Sequence, residues 1–161
     1  MNGLILPVIV GVLVFAISQY FLKLILEPII YFRKVLSDIS HTLLYNQLAF
    51  SSGTTKDEVL MRKIHELSAL LRSSVYMIPF YNYLYKIKLF GLPKRENILL
   101  SCRNLNRLSY GVNVSKDAEG NNLEHPSDIA QKNEKLLIEI AKLLPIETTY
   151  MLDEEKQPLT N

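Results

Sequence analysis

At 161 residues, 48% hydrophobic, 21% charged and net +2, the chain has the size of one domain with room for an accessory segment. A single cysteine excludes a disulfide-stapled scaffold, and the apolar content excludes a long disordered chain or a collagen-like fibre. The averages conceal a skew: the first 22 residues hold 16 hydrophobic side chains and no charge, while the other 139 are about 45% hydrophobic, ordinary for a soluble domain.

Leu4 to Leu22, LILPVIVGVLVFAISQYFL, is the first predicted element. A helix of that length covers roughly 28 Å, close to the ~30 Å hydrocarbon core of a bilayer. Pro7 and Gly11 are tolerated in membrane helices, and Tyr20 and Phe21 sit where an interfacial aromatic belt belongs, just before Lys23. Met1-Asn2-Gly3 offers no basic n-region and no small-x-small site ends the apolar run, so the segment reads as an uncleaved anchor rather than a signal peptide. Lys23, Arg33 and Lys34 follow the span and no basic residue precedes it. The positive-inside rule then places the amino terminus outside and the carboxy-terminal part in the cytoplasm, where the lone Cys102 would stay reduced.

Residues 1–27 form the anchor, 28–145 a helical bundle, and 146–161 an acidic tail expected to be disordered. The second helix is predicted from Pro28 to Phe50, kinked from the anchor or continuous with it. Ile29, Phe32, Leu36, Ile39, Leu43, Asn46 and Phe50 recur at 3–4 spacing, the pattern of a bundle or coiled-coil seam and hence of a protein–protein contact. Asn46 in that stripe either specifies register and partner number or sits at its edge, bonded to a loop. Ser51-Ser52-Gly53 ends this helix, and Thr55-Lys56-Asp57-Glu58 reads as the capping box of the next. Leu60, Ile64, Leu67, Leu71, Val75 and Ile78 form the buried face of that next helix, which Pro79 ends.

Tyr76 to Phe90, YMIPFYNYLYKIKLF, holds six of the 15 aromatic residues. Tyr81, Tyr83 and Tyr85 with Lys86 and Lys88 have the character of a helix lying on the membrane surface; the alternative is a short helix with its rings inside the bundle. A further helix is predicted from Lys94 to Tyr110 with Ile98, Cys102, Leu105 and Leu108 inward, then a polar mobile loop over 112–126. A last helix, capped by Ser127, runs to Leu144 with Ile129, Leu136, Leu137, Ile140 and Leu144 inward. No segment alternates as a strand does. The predicted fold is therefore all-α: an amino-terminal transmembrane helix followed by a cytoplasmic bundle of about four helices.

The charge is divided. Residues 23–110 carry 13 Lys/Arg and 6 Asp/Glu, a net +7, and residues 111–161 carry 5 and 10, a net −5. A basic membrane-proximal half is drawn to anionic lipid at about 1 kcal/mol per well-placed residue. The basic residues are scattered and no nucleic-acid module is present, so no nucleic-acid partner is expected.

Chemistry-bearing motifs are poor. His65-Glu66-Leu67-Ser68-Ala69 begins like the zinc-protease HExxH helix, but Ala69 stands where the second ligand is needed. Asp38 and His41 share a helix face, as ordinary surface pairs do. Cys102 falls on a buried face without a paired histidine, and the six glycines never cluster into a phosphate loop. We expect no catalytic, cofactor or metal site and no small-molecule substrate.

Glu27-Pro28-Ile29, Arg33, Asn46, Leu71-Arg72, Ile78-Pro79-Phe80-Tyr81, Gly91-Leu92-Pro93 and the stretch Leu105–Ser109 occur in this order. In that order the chain resembles a family of small bacterial single-span membrane proteins of unknown function. The resemblance covers most of residues 20–110, implies a bacterial or phage-borne origin and the same anchored bundle, and implies no activity. The expected function is that of a non-enzymatic membrane-anchored protein that oligomerises or docks a protein partner at the bacterial inner membrane, with the lipid bilayer as its second partner. The alternative is a membrane-disrupting or pore-forming effector, a toxin or defence component, with Gly11 and Ser18 as close-packing positions in the span.

Overall fold

A computed structural model of the chain describes residues 2–53, 57–88, 90–112 and 125–150. The described residues are predominantly helical and contain no strand. The elements, in chain order, are α1 (Asn2–Phe21), a π turn (Leu22–Leu26), α2 (Glu27–Tyr45), α3 (Gln47–Ser52), α4 (Glu58–Met77), α5 (Tyr81–Ile87), α6 (Arg95–Val112) and α7 (Pro126–Leu143).

Helix α1, the π turn and α2 are one helix, unbroken for 40 residues from Leu6 to Tyr45. Pro28 explains the π turn between them. Proline lacks an N–H and its ring crowds the carbonyl of residue i−4, here Leu24. Widening the turn gives that carbonyl room, and the Glu27 N–H bonds to Leu22 O instead of to the residue four back. The helix then breaks at Asn46 (φ −102°, ψ 21°), whose side chain turns back to donate to Thr42 O at 2.8 Å. The single helix expected to Phe50 is therefore two, because the amide competes with the helical hydrogen bonds around it. Asn46 lies at the edge of the stripe and reaches its own helix rather than a partner.

Helix α4 starts two residues later than the capping box predicts. The cap is Asp57, whose carboxylate accepts from Leu60 N at 2.9 Å; Thr55 lies outside the described residues. The helix ends at Met77 because Ile78, preceding Pro79, is driven to extended geometry (φ −86°, ψ 109°). At the start of α7, Pro126 takes the first helical position, and His125 Nδ1, not Ser127, accepts the capping bond, from Ser127 N.

Cross-links fix how the helices run. His65 meets Ser109, Ser68 exchanges hydrogen bonds with Cys102, and Tyr76 lies under Arg95, so α4 and α6 are antiparallel. Asn104 meets Glu139, and a Cβ on Gly111 would strike the Asn133 amide, so α7 runs antiparallel to α6. At the end remote from α1, Gly53 (φ +60°) closes α3 directly against the backbone of Pro126. At the other end, Arg33 Nη2 donates to Phe90 O at 2.8 Å. The connections around α5 thus lie beside the first turns of α2, where the long amino-terminal helix enters the bundle.

The core contains every inward position predicted for α4 and α6, with Ile129, Leu137, Ile140 and Leu144 from the last helix. Leu136 is half-buried against it. The start of the expected disordered tail is ordered instead. Ile146 packs on the core, Thr148 is fully buried with its hydroxyl donating to Leu137 O at 2.9 Å, and Ser40 Oγ donates to Glu147 O at 2.6 Å. The apolar Ile146 and the two hydroxyl bonds hold this segment between α2 and α7, overriding the polar composition of the tail as a whole. The rest of the tail and nearly all of the 112–126 loop lie outside the described residues.

Candidate functional site

The stripe Ile29, Phe32, Leu36, Ile39, Leu43 and Phe50 is not available to a partner. Each of these side chains is 6% exposed or less and belongs to the chain's own core. Its 3–4 spacing reports an intramolecular seam that α4 and the other bundle elements fill. Asn46 is half-buried and bonded within α2. A contact with another molecule must use other surface.

The five residues expected at the membrane surface separate. Tyr81 is buried, with its hydroxyl donating to Pro93 O at 2.6 Å, and burial pushes its phenol well above the ordinary range. It ties α5 to the entry of α6 and cannot touch lipid. Tyr83, Tyr85, Lys86 and Lys88 are exposed. With Tyr81 and Leu84 inward, the outward row of this short helix is Phe80, Tyr83 and Ile87, a 3–4 spacing. Tyr76 and Met77 extend the row from the end of α4, and all five are at least 48% exposed. Phe80 has φ 53°, a left-handed conformation that is unusual for a bulky side chain. The sequence pattern alone did not reveal Phe80 and Met77, because every second or third residue here is apolar or aromatic and no one face stands out.

A groove of about 580 Å³ opens beside this region. Phe32, Arg33, Leu36 and Ser40 of α2 form one wall, Phe90–Leu92 the second and Pro145–Glu147 the third. Its two polar side chains of most interest are already engaged with backbone, Arg33 with Phe90 O and Ser40 with Glu147 O. The groove therefore presents mainly apolar wall.

His65 and Ser109 form the one contact that invites a catalytic comparison, with Nε2 and Oγ 2.9 Å apart. Ser109 also donates its only hydroxyl proton to Asn106 O at 2.7 Å. It must then accept from His65 Nε2–H, the reverse of the direction a general base needs to activate a serine. Ser109 is fully buried, and His65 rests edge-on against Tyr110. The geometry is that of a packed polar contact between α4 and α6. Cys102, 5% exposed, has its thiol raised above the ordinary range by burial, with the hydrogen bond to Ser68 acting in the opposite direction. His41 stacks on Tyr45 rather than joining Asp38. In α1, the Ser18 hydroxyl donates to Val14 O of its own helix. Among the described residues no three His, Cys, Asp or Glu side chains converge as a metal site requires.

No family model, no curated protein and no solved structure matches the chain.

Among the described residues, one helix is long and apolar enough to cross a membrane, at the amino terminus, and no part of its most apolar window is buried. Val8, Val12, Phe15 and Ile17 are each more than 60% exposed. Helix α1 and the outward row of α5 are thus two large uncovered apolar surfaces, and both belong to one end of the molecule.

Proposed function

We propose that this chain is a non-enzymatic, membrane-anchored helical protein of the bacterial inner membrane that oligomerises or docks a partner through a cytoplasmic bundle. The observation that carries the reading is the continuous helix Leu6–Tyr45. Its first part is apolar and uncovered, and its last part is a wall of a bundle with an ordinary buried core. An uncovered, predominantly apolar stretch of about 20 residues is stable in lipid and aggregates in water. The excess of basic residues after the span supports a cytoplasmic bundle, and the resemblance to small bacterial single-span proteins supports the inner membrane.

With the α2 stripe used internally, the contact with a second copy or partner falls on the outward surface. There Tyr45 and Leu48, 80% and 85% exposed, are the least covered large apolar side chains among the described residues. They lie at the α2–α3 break, the end of the bundle remote from the anchor, where a partner approaching from the cytoplasm meets them first. Crosslinking and mass photometry of the protein in nanodiscs, with identification of what co-purifies, test the proposal. We expect a defined oligomer or a stoichiometric partner, weakened by Tyr45→Ser with Leu48→Ser. A uniform monomer with nothing co-purifying would refute it. A fluorescent reporter fused to the carboxy terminus, expected to be bright in the cytoplasm, tests the orientation separately.

A further inference from the structure

We propose that α5 is a second membrane attachment, docking the bundle on an anionic bilayer surface through the row Phe80, Tyr83 and Ile87 and the lysines Lys86 and Lys88. The inference rests on the anchored reading above. It adds which face of the bundle meets the bilayer and what lipid that face selects.

Position is the first argument. Helices α2 and α4 are 19 and 20 residues long and joined at the end remote from the anchor, so α4 returns to the level at which α2 began. The Arg33–Phe90 bond pins the segment after α5 to the second turn of α2. From Leu22, where the apolar run ends, to Arg33 the helix rises about 16 Å, and one headgroup layer is about 5–7 Å deep, half the difference between ~30 Å of hydrocarbon and about 40–45 Å in all. Helix α5 thus stands at the membrane-facing end of the bundle, and its long tyrosine and lysine side chains, with the ordinary ~20° tilt of a span, bridge the remaining distance to the headgroups.

Charge is the second. From Leu67 to Arg95 there is no Asp or Glu, and Arg72, Lys86, Lys88, Lys94 and Arg95 fall in that stretch. Lys94 is paired with Glu96, and Arg95 lies over the Tyr76 ring at 4.7 Å. Lys86 and Lys88 make no ion pair among the described residues. Their heads are left for phosphate, next to rings that suit the interface. The other acidic groups at this end, Glu27 and Glu147, lie on α2 and on the groove wall, not on α5.

The third argument is Phe80. It adopts a left-handed backbone at φ 53°, at the cap of α5, with 74% of its surface exposed. Neither core packing nor solubility accounts for a bulky ring held outward in such a conformation. A ring seated among lipid acyl chains does.

The chain contains no tryptophan, which makes the test direct. Phe80→Trp in the full protein gives a single reporter. In nanodiscs of phosphatidylcholine with phosphatidylglycerol brominated near the glycerol, its emission should be blue-shifted and strongly quenched, and Tyr83→Trp should behave alike. In discs of phosphatidylcholine alone, brominated at the same position and density, the quenching should weaken. Lys86→Gln with Lys88→Gln should lower the docked-to-undocked ratio on the order of 30-fold in anionic discs, from about 1 kcal/mol per basic residue. Val59→Trp, at the remote end of α4, should stay unquenched. A water-like, unquenched indole in the Phe80→Trp protein overturns the proposal, and so does protection of that indole only when a protein co-purifies. Quenching that is equal in both lipids overturns the anionic assignment. Phe15→Trp in the span distinguishes the two levels. If the Phe15→Trp reporter is quenched and the Phe80→Trp reporter is not, α5 docking fails and the anchor stands, whereas loss of both signals refutes the anchor itself.

Discussion

Gly53→Ala should be among the most damaging small changes in the bundle, for two separable reasons. Gly53 has φ +60°, and a left-handed alanine costs about 1–2 kcal/mol. The stiffer unfolded chain offsets that by about 0.4–1 kcal/mol. The new Cβ would also land on the carbonyl oxygen and carbon of Pro126. This is main chain at the first turn of α7, so no side chain can rotate away. Prising α3 from α7 is an overpacking cost of about 1–3 kcal/mol. The net loss is about 2–4 kcal/mol, a fall in Tm of roughly 8–16 °C for a bundle of this size. Thermal melts by circular dichroism in one detergent, at one scan rate, measure it. Gly53→Asn is the diagnostic companion, because asparagine tolerates the left-handed region but brings the same Cβ. We expect Asn to recover only the conformational part and to remain about 1–3 kcal/mol below the parent. Parent-like stability of Gly53→Asn would show that close approach to Pro126 is not what the glycine serves, and a loss below about 1 kcal/mol for Gly53→Ala would refute both terms.

Leu71→Ala, at a fully buried site of α4, should cost about 2–5 kcal/mol, while Val59→Ala, 71% exposed on the same helix, should stay within about 0.5 kcal/mol; comparable melts for the two would contradict the assignment of faces. Cys102 should resist maleimide until the bundle unfolds. Because burial raises its folded pKa, the unfolded chain releases the thiol proton first, so stability present below the unfolded pKa of about 8.5 declines as pH rises above it. Cys102→Ala should remove that part of the decline in paired melts across the alkaline range, and an unchanged slope would assign it elsewhere. Arg33→Ala frees the Phe90 carbonyl of a charge-assisted bond worth about 1 kcal/mol at this exposed position. Amide exchange around Gly91 and Leu92 should then quicken with little change in Tm, and unaltered exchange would show that Arg33 does not hold this connection.

The long apolar amino-terminal helix could be read from its charge-free length, and the long helices of the bundle with nearly all their inward faces from periodicity, because burial on one side leaves a 3–4 pattern that little else produces. Periodicity names a face and not its occupant, which is why the Ile29–Phe50 stripe reads equally well as an interface and as core. Asn133, at 1% exposure, donates to Phe50 O at 3.1 Å and lies four residues on from Ile129 and four before Leu137. Its place in the stripe was the signal for a buried polar link. Caps moved by about two residues at α4 and α7, where several polar residues compete for one role and only geometry selects the winner. The division of α5 into inward Tyr81 and outward Phe80 and Tyr83 had no sequence signal, since aromatic residues surround that helix. For the same reason the candidate membrane surface was only half legible.

The π turn at Leu22–Leu26 also acts as a phase setting. One residue more than an α-helical turn requires advances everything after it by about 100° around the common axis, with a rise of only ~1.5 Å. In the proposed anchored arrangement, height above the bilayer and heading around α1 are thereby decoupled. Deleting one residue from this turn would leave α5 at nearly the same height but swing it about a quarter of the way around α1, so the compass bearing of the bundle relative to α1 is encoded by a single residue.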